Sequence, residues 1–133
     1  MRIVGAILCA VFLVASFVDR HVLAAGSCDA LERLTLPDLT INRVEVVEAG
    51  SFTSPGPAAP DVFKAVPSFC RALVTIKPSA DSDVRAEVWM PSSGWNGKFE
   101  AVGNGGLAGS IPYPALASAI TAGCTSGGTA TSS

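Results

Sequence analysis

Between residues 69 and 109 three short β-type segments follow one another, and the third runs directly into a loop with four glycines in seven residues. In residues 69–77, Ala72, Val74 and Ile76 fall on one side of an extended chain. In residues 84–90, Val84, Ala86, Val88 and Met90 share one side, and Arg85, Glu87 and Trp89 the other. A period of two is the signature of a strand. The polar stretch 77–83 suits a hairpin connection, so these two strands are expected to be antiparallel neighbours. Pro91 ends the second strand, residues 92–97 form a turn, and residues 98–102 give a short third strand. The glycine loop Gly103-Asn104-Gly105-Gly106-Leu107-Ala108-Gly109 follows, then a helical segment at 114–122. A hairpin followed by a strand, a loop and a helix points to the α/β class.

The flanks are simpler. Residues 27–34 read as a short helix, with Ser27 or Asp29 able to cap it, Leu31 and Leu34 on one face, and Pro37 as a stop. Residues 40–47 carry Ile41, Val44, Val46 and Val47 among polar neighbours, a strand pattern. Residues 51–60, with Pro55, Gly56, Pro57 and Pro60, form a loop. Glu100 is the last charged residue, and residues 125–133 consist only of Ser, Thr, Gly and Ala. With no apolar periodicity, residues 124–133 are expected to be a polar tail that buries nothing, either disordered or the product of a truncation or shifted reading frame.

At the amino terminus Arg2 precedes 16 residues, 3–18, that carry no charge, and Val22-Leu23-Ala24-Ala25-Gly26 provides a small-residue exit. This is the pattern of a secretory signal peptide, residues 1–25. A membrane anchor would need roughly 20 apolar residues, so no stable anchor is expected. The chain is then secreted or periplasmic. The remainder carries seven basic and ten acidic residues and no basic run, which excludes the footprint of a nucleic-acid binder. In an oxidising compartment cysteines pair by default. Cys28 with Cys70 is the expected bridge, tying residue 28 to the start of the strand at 69, and Cys124 is left over. No C-x-x-C spacing occurs and the single histidine, His21, lies in the signal peptide, so no metal site or cofactor is expected in this chain.

The glycine loop is the one motif with chemical content. Glycines allow close backbone approach and positive φ. Two hairpin strands, then a third strand ending in such a loop and a helix, match the opening topology of the α/β-hydrolase fold, whose third-strand loop donates a backbone N–H to the oxyanion hole. Gly103-x-Gly105-x-x-Ala108 also fits the relaxed dinucleotide fingerprint, but that motif needs an acidic residue about 20 positions on, and none follows Glu100. A turn with no chemistry is the plainest alternative.

Four strings, Ala86-Glu87-Val88-Trp89-Met90-Pro91, Gly94-Trp95-Asn96-Gly97-Lys98-Phe99, Val102-Gly103-Asn104-Gly105-Gly106 and Ser110-Ile111-Pro112-Tyr113-Pro114-Ala115-Leu116, closely resemble the tannase and feruloyl esterase family. Cys28 with Leu31, Leu34 and Leu36-Pro37, and Pro67-Ser68-Phe69-Cys70-Arg71, also resemble its amino-terminal segment. The resemblance runs from about residue 28 to 123. It implies the amino-terminal part of an α/β-hydrolase fold, incomplete in this chain, with residues 26–123 as that segment. It further implies an exported serine esterase that cleaves aromatic acid esters, galloyl or feruloyl, including feruloylated polysaccharide. In such enzymes a Ser-Asp-His triad does the chemistry, and some members hold calcium in a lid. No G-x-S-x-G or C-S-x-G-G motif is present here, so the triad and lid are expected beyond this chain, which alone should be inactive. Only the loop carries over: Gly105 or Gly106 as the N–H donor, with Gly103 and Asn104 shaping it. Cys28 and Cys70 match family positions that look paired. The alternative function is a small exported binding module for aromatic glycosides or polysaccharide.

Overall fold

The computed structural model describes residues 27–55, 61–103 and 109–131. The expected signal peptide lies outside these. Five strands form one mixed sheet: β1 (Leu39–Val47), β2 (Phe69–Ile76), β3 (Val84–Pro91), β4 (Phe99–Val102) and β5 (Thr125–Thr131). One helix, α1 (Tyr113–Thr121), lies between β4 and β5 in sequence, and short 3₁₀ helices occupy Cys28–Arg33 and Asp61–Ala65. The spatial order is β1-β2-β3-β5-β4. The first three strands and β5 pair antiparallel, with Ala72 opposite Val88 and Val88 opposite Gly127, whereas β4 and β5 run parallel. The β2–β3 hairpin is therefore the one expected from the sequence. A parallel pair needs a crossover, which the loop and α1 supply.

The structure corrects the reading of the carboxy-terminal stretch. Most of the expected polar tail is β5, an interior strand hydrogen-bonded between β3 and β4. Its stability does not come from apolar side chains of its own. Ladder bonds on both edges satisfy the backbone, and its central positions 126–128 leave room only for small residues. Ser126 is fully buried, its hydroxyl donating to the Leu116 carbonyl at 3.3 Å. A Cβ on Gly127 would meet the Phe99 ring at 2.9 Å, and one on Gly128 would meet Pro112 Cδ at 3.1 Å and Val102 Cγ2 at 3.3 Å. At positions 126–128, read from the sequence as burying nothing, bulk is excluded.

Both faces of the sheet bury residues, Ala72, Val74 and Ala86 on one, but the aromatic core lies on the other. The helix packs on the side that carries Phe69, Arg71, Glu87 and Trp89, not on the side of Ala72, Val74 and Val88. Phe69 and Trp89 stack at 4.3 Å between centroids, and Phe52 meets Trp89 edge-on at 4.6 Å. Leu116 and Ile120 of α1, with Phe63 and Val66, close over them. Aromatic pairs of this kind add about 0.5–1.5 kcal/mol each beyond area burial. On the opposite face Val46, Trp95 and Phe99 are exposed.

The ends of α1 are set locally. Pro114 stands in its first turn, where a missing N–H costs nothing. At the other end Gly123 takes φ +81°, its N–H donates to the Ile120 carbonyl at 2.9 Å, and that of Cys124 donates to Ala119 at 3.0 Å. These are the two bonds of a Schellman cap, and they turn the chain into β5. The Asn96 side chain braces this cap: its amide donates to the Ala122 carbonyl at 3.0 Å while its oxygen accepts the Lys98 N–H at 2.9 Å.

Candidate functional site

The glycine loop leaves β4 after Val102 and returns through Gly109, Ser110, Ile111 and Pro112 into Tyr113. Gly103 is exposed, with nothing within 4 Å of where its Cβ would be. Asn104, Gly105 and Gly106 lie outside the described residues. Gly109 adopts φ +58°, a conformation that favours glycine. The loop thus springs from the carboxyl end of a strand that pairs parallel with its neighbour, the end at which ligands bind in α/β sheets.

The two roots of the loop meet on the helix-bearing face. Glu87 of β3 is paired with Gly128 of β5, and Gly128 with Val102 of β4, so these three form one row across the sheet. Pro112 sits directly above the Gly128 notch. Beside it the Tyr113 hydroxyl donates to Glu87 Oε1 at 2.9 Å.

Glu87 is the centre of a buried polar cluster that the sequence reading did not single out. It is 3% exposed, and four donors surround its carboxylate. Arg71 reaches both oxygens, Nε to Oε2 at 2.8 Å and Nη2 to Oε1 at 2.6 Å, and Trp89 Nε1 donates to Oε2 at 2.9 Å. The fourth donor is Tyr113. Arg71 is shared with Glu45 of β1 at 3.0 Å. Burial pulls the Arg71 guanidinium's pKa down, but the hydrogen bond and charge of Glu87, with the bond to Glu45, outweigh it and leave the pKa raised. Burial, then the charge and hydrogen bond of Glu87, push the Tyr113 phenol up to about 12. The cluster could have been suspected from Glu87 falling on the same strand face as Trp89, but the packing that joins it to residue 113 has no sequence signal.

Arg71, Glu87, Ile111 and Tyr113 line a cavity of about 930 Å³ together with Thr75 and Arg85. On the other face Leu31, Leu34, Val46, Met90 and Trp95 line a cleft of about 510 Å³. Beneath that cleft Cys28 and Cys70 form the expected disulfide, with Cα atoms 5.6 Å apart. Cys124 is buried and free, with the Asn96 amide 3.4 Å from its sulfur. Among the described residues no group of three His, Cys, Asp or Glu side chains could hold a metal ion, and no helix is long and apolar enough to cross a membrane.

No family model matches the chain. It is 40% identical over 100 residues to an uncharacterized esterase of Xanthomonas campestris, covering 75% of this chain and 17% of that protein. It is 31% identical to feruloyl esterase C of Talaromyces stipitatus over 74% of this chain and 19% of that protein. Among solved structures, feruloyl esterase B from Aspergillus oryzae superposes with a TM-score of 0.64 at 30% identity, covering 78% of this chain and 20% of that one. An esterase from the same species gives a TM-score of 0.67 at 27% identity, over 77% of this chain and 21% of that one. The chain therefore spans about a fifth of the length of the relatives it matches.

Proposed function

From its membership of the esterase and feruloyl esterase family, we propose that this chain supplies the oxyanion-loop part of an exported carboxylic ester hydrolase acting on aromatic acid esters, feruloyl or galloyl. The observation that carries the reading is the glycine loop at the carboxyl end of β4, within a sheet that superposes on two esterases. The nucleophilic serine, the histidine and the aspartate belong to the part of such an enzyme outside this chain. In that reaction the serine hydroxyl attacks the ester carbonyl and its proton passes to histidine. The carbonyl oxygen becomes an oxyanion, and collapse expels the alcohol as it takes the proton. Water then releases the aromatic acid. The N–H of Gly105 or Gly106 donates to that oxyanion, where one well-aimed donor is worth about 10²–10³ in rate.

Residues 1–25 act as the export signal, and the Cys28–Cys70 disulfide suits the secreted or periplasmic compartment this implies. The reading as a binding module is not favoured, since these relatives are esterases. The test is a graft. Residues 27–131, placed in feruloyl esterase B of A. oryzae in exchange for the matching fifth, should preserve saturable hydrolysis of methyl ferulate or methyl gallate. The 133-residue chain alone should show none. Turnover by the chain alone, or a folded graft without activity, would overturn the proposal.

A further inference from the structure

We propose that the cleft of about 510 Å³ on the sheet face away from α1 binds a planar aromatic molecule that carries no charge. The proposal stands on this cleft alone and holds whether or not the chain is part of an esterase. Strand register puts every charged residue of the described strands, Arg43, Glu45, Arg71, Arg85, Glu87 and Glu100, on the side that α1 covers. The cleft inherits that segregation. None of the described residues lining it is charged, and its polar side chains are the hydroxyls of Ser27, Ser92 and Thr125. The larger cavity on the other face differs, with Lys77, Arg85 and Glu87 among its lining residues. A carboxylate entering the cleft would lose its water and meet no cation in its place. Hydroxyls can satisfy the phenol or ester oxygens of a neutral ligand. Trp95 selects for a ring. It is 60% exposed, yet its indole N–H donates to the Lys98 carbonyl at 3.0 Å, so the ring is held in place. A fixed indole offers a face for offset stacking, and the thioether of Met90 makes favourable contacts with aromatic rings. The volume falls in the range of about 300–1,000 Å³ usual for small-molecule sites. Thr125, which lines the cleft, pairs with Phe99 at the start of β4, so the cleft lies by the amino end of the strand whose carboxyl end carries the glycine loop.

The test uses one ring in two charge states, methyl ferulate, which is neutral at neutral pH, and ferulate, which is not. Titrated into the 133-residue chain, methyl ferulate should shift the Trp95 indole N–H and the Leu34 and Val46 methyl resonances saturably, with a Kd of about 1 mM or tighter. Ferulate should bind at least about tenfold more weakly. Methyl cyclohexanecarboxylate, neutral but not aromatic, should bind at least about threefold more weakly. Trp95→Ala and Val46→Glu change exposed positions, and each should weaken methyl ferulate at least about fivefold while the Leu116 and Ile120 methyl resonances of the core stay in place. If one variant disturbs the core, the other decides. Equal affinity for ester and acid would overturn the inference, as would no saturable shift below about 10 mM or binding that survives both substitutions. Broadening of the same resonances with protein concentration, in the absence of ligand, would overturn it in favour of a second copy of the chain. In the grafted esterase a Val46→Cys thiol should react with a maleimide as readily as in the free chain. Protection there would give the cleft to the rest of the polypeptide and overturn the inference, leaving the esterase reading untouched.

Discussion

Replacing Glu87 by glutamine keeps the shape of the side chain and changes only what its terminal atoms do. Four donors now converge on two oxygens: Arg71 Nε and Trp89 Nε1 on Oε2, Arg71 Nη2 and the Tyr113 hydroxyl on Oε1. An amide has one acceptor oxygen. Placed with its nitrogen at the Oε1 position, it keeps Trp89 and Arg71 Nε, and the Tyr113 hydroxyl can rotate to accept. Arg71 Nη2 then faces an N–H₂ group, and the buried guanidinium loses its bidentate countercharge. Glu45 still holds Nη1 at 3.0 Å, which limits the damage. One lost charge-assisted hydrogen bond and a half-compensated buried cation together cost about 2–4 kcal/mol. Urea unfolding followed by tryptophan fluorescence reads this directly, provided the transition stays two-state. Tyr113 is the sole tyrosine in the chain, so phenolate absorbance reports on it alone. Its pKa, pushed up to about 12, should fall in the variant because the Glu87 charge and bond are lost, while burial, the first cause, remains. A loss under about 1 kcal/mol with an unchanged phenol titration would refute the view that Glu87 organises this cluster.

Stability should also depend on alkaline pH through the same phenol. The unfolded phenol titrates near 10 and the folded one near 12, so its contribution is complete below about 10 and is lost as pH rises toward 12. Comparing urea midpoints at pH 9 and 11 for the native chain and Tyr113→Phe should show the steeper loss in the native chain; parallel losses would refute it. Asn96→Ala removes both side-chain bonds to the α1 cap and the following turn and should cost about 1–2 kcal/mol, seen as a lower urea midpoint. Reduction of Cys28–Cys70, which closes a separation of 42 residues, should lower stability by about 4 kcal/mol, and a midpoint insensitive to reductant would contradict the loop-entropy argument. Gly127→Ala should be cheaper than Gly128→Ala. The first crowds only the tip of the exposed Phe99 ring, the second a proline and a valine packed against the core, and equal losses would show that the notch is not special.

Sequence by itself determined the local grammar. Alternation in residues 69–77 and 84–90 gave two strands and their hairpin, because a strand's two faces differ in solvent exposure. Proline and glycine marked the turns, the Cys28–Cys70 pairing was expected from the sequence and is present, and motif strings between residues 86 and 116 carried the resemblance to the esterases. Glycine density singled out the loop. Tertiary structure alone decided which face of the sheet α1 covers. Ala72, Val74 and Val88 look the more apolar set, yet α1 covers the side of Trp89 and Glu87, because four donors make a buried carboxylate tolerable there. It also decided the fate of residues 125–131. Small polar residues have no periodic signal, and their strand exists because β3 and β4 offer hydrogen bonds on both edges. That same strand brings Glu87, Gly128 and Val102 into one row from three separate segments. Register between distant strands is set by pairing and packing together, so no local pattern near the glycine loop could announce that row.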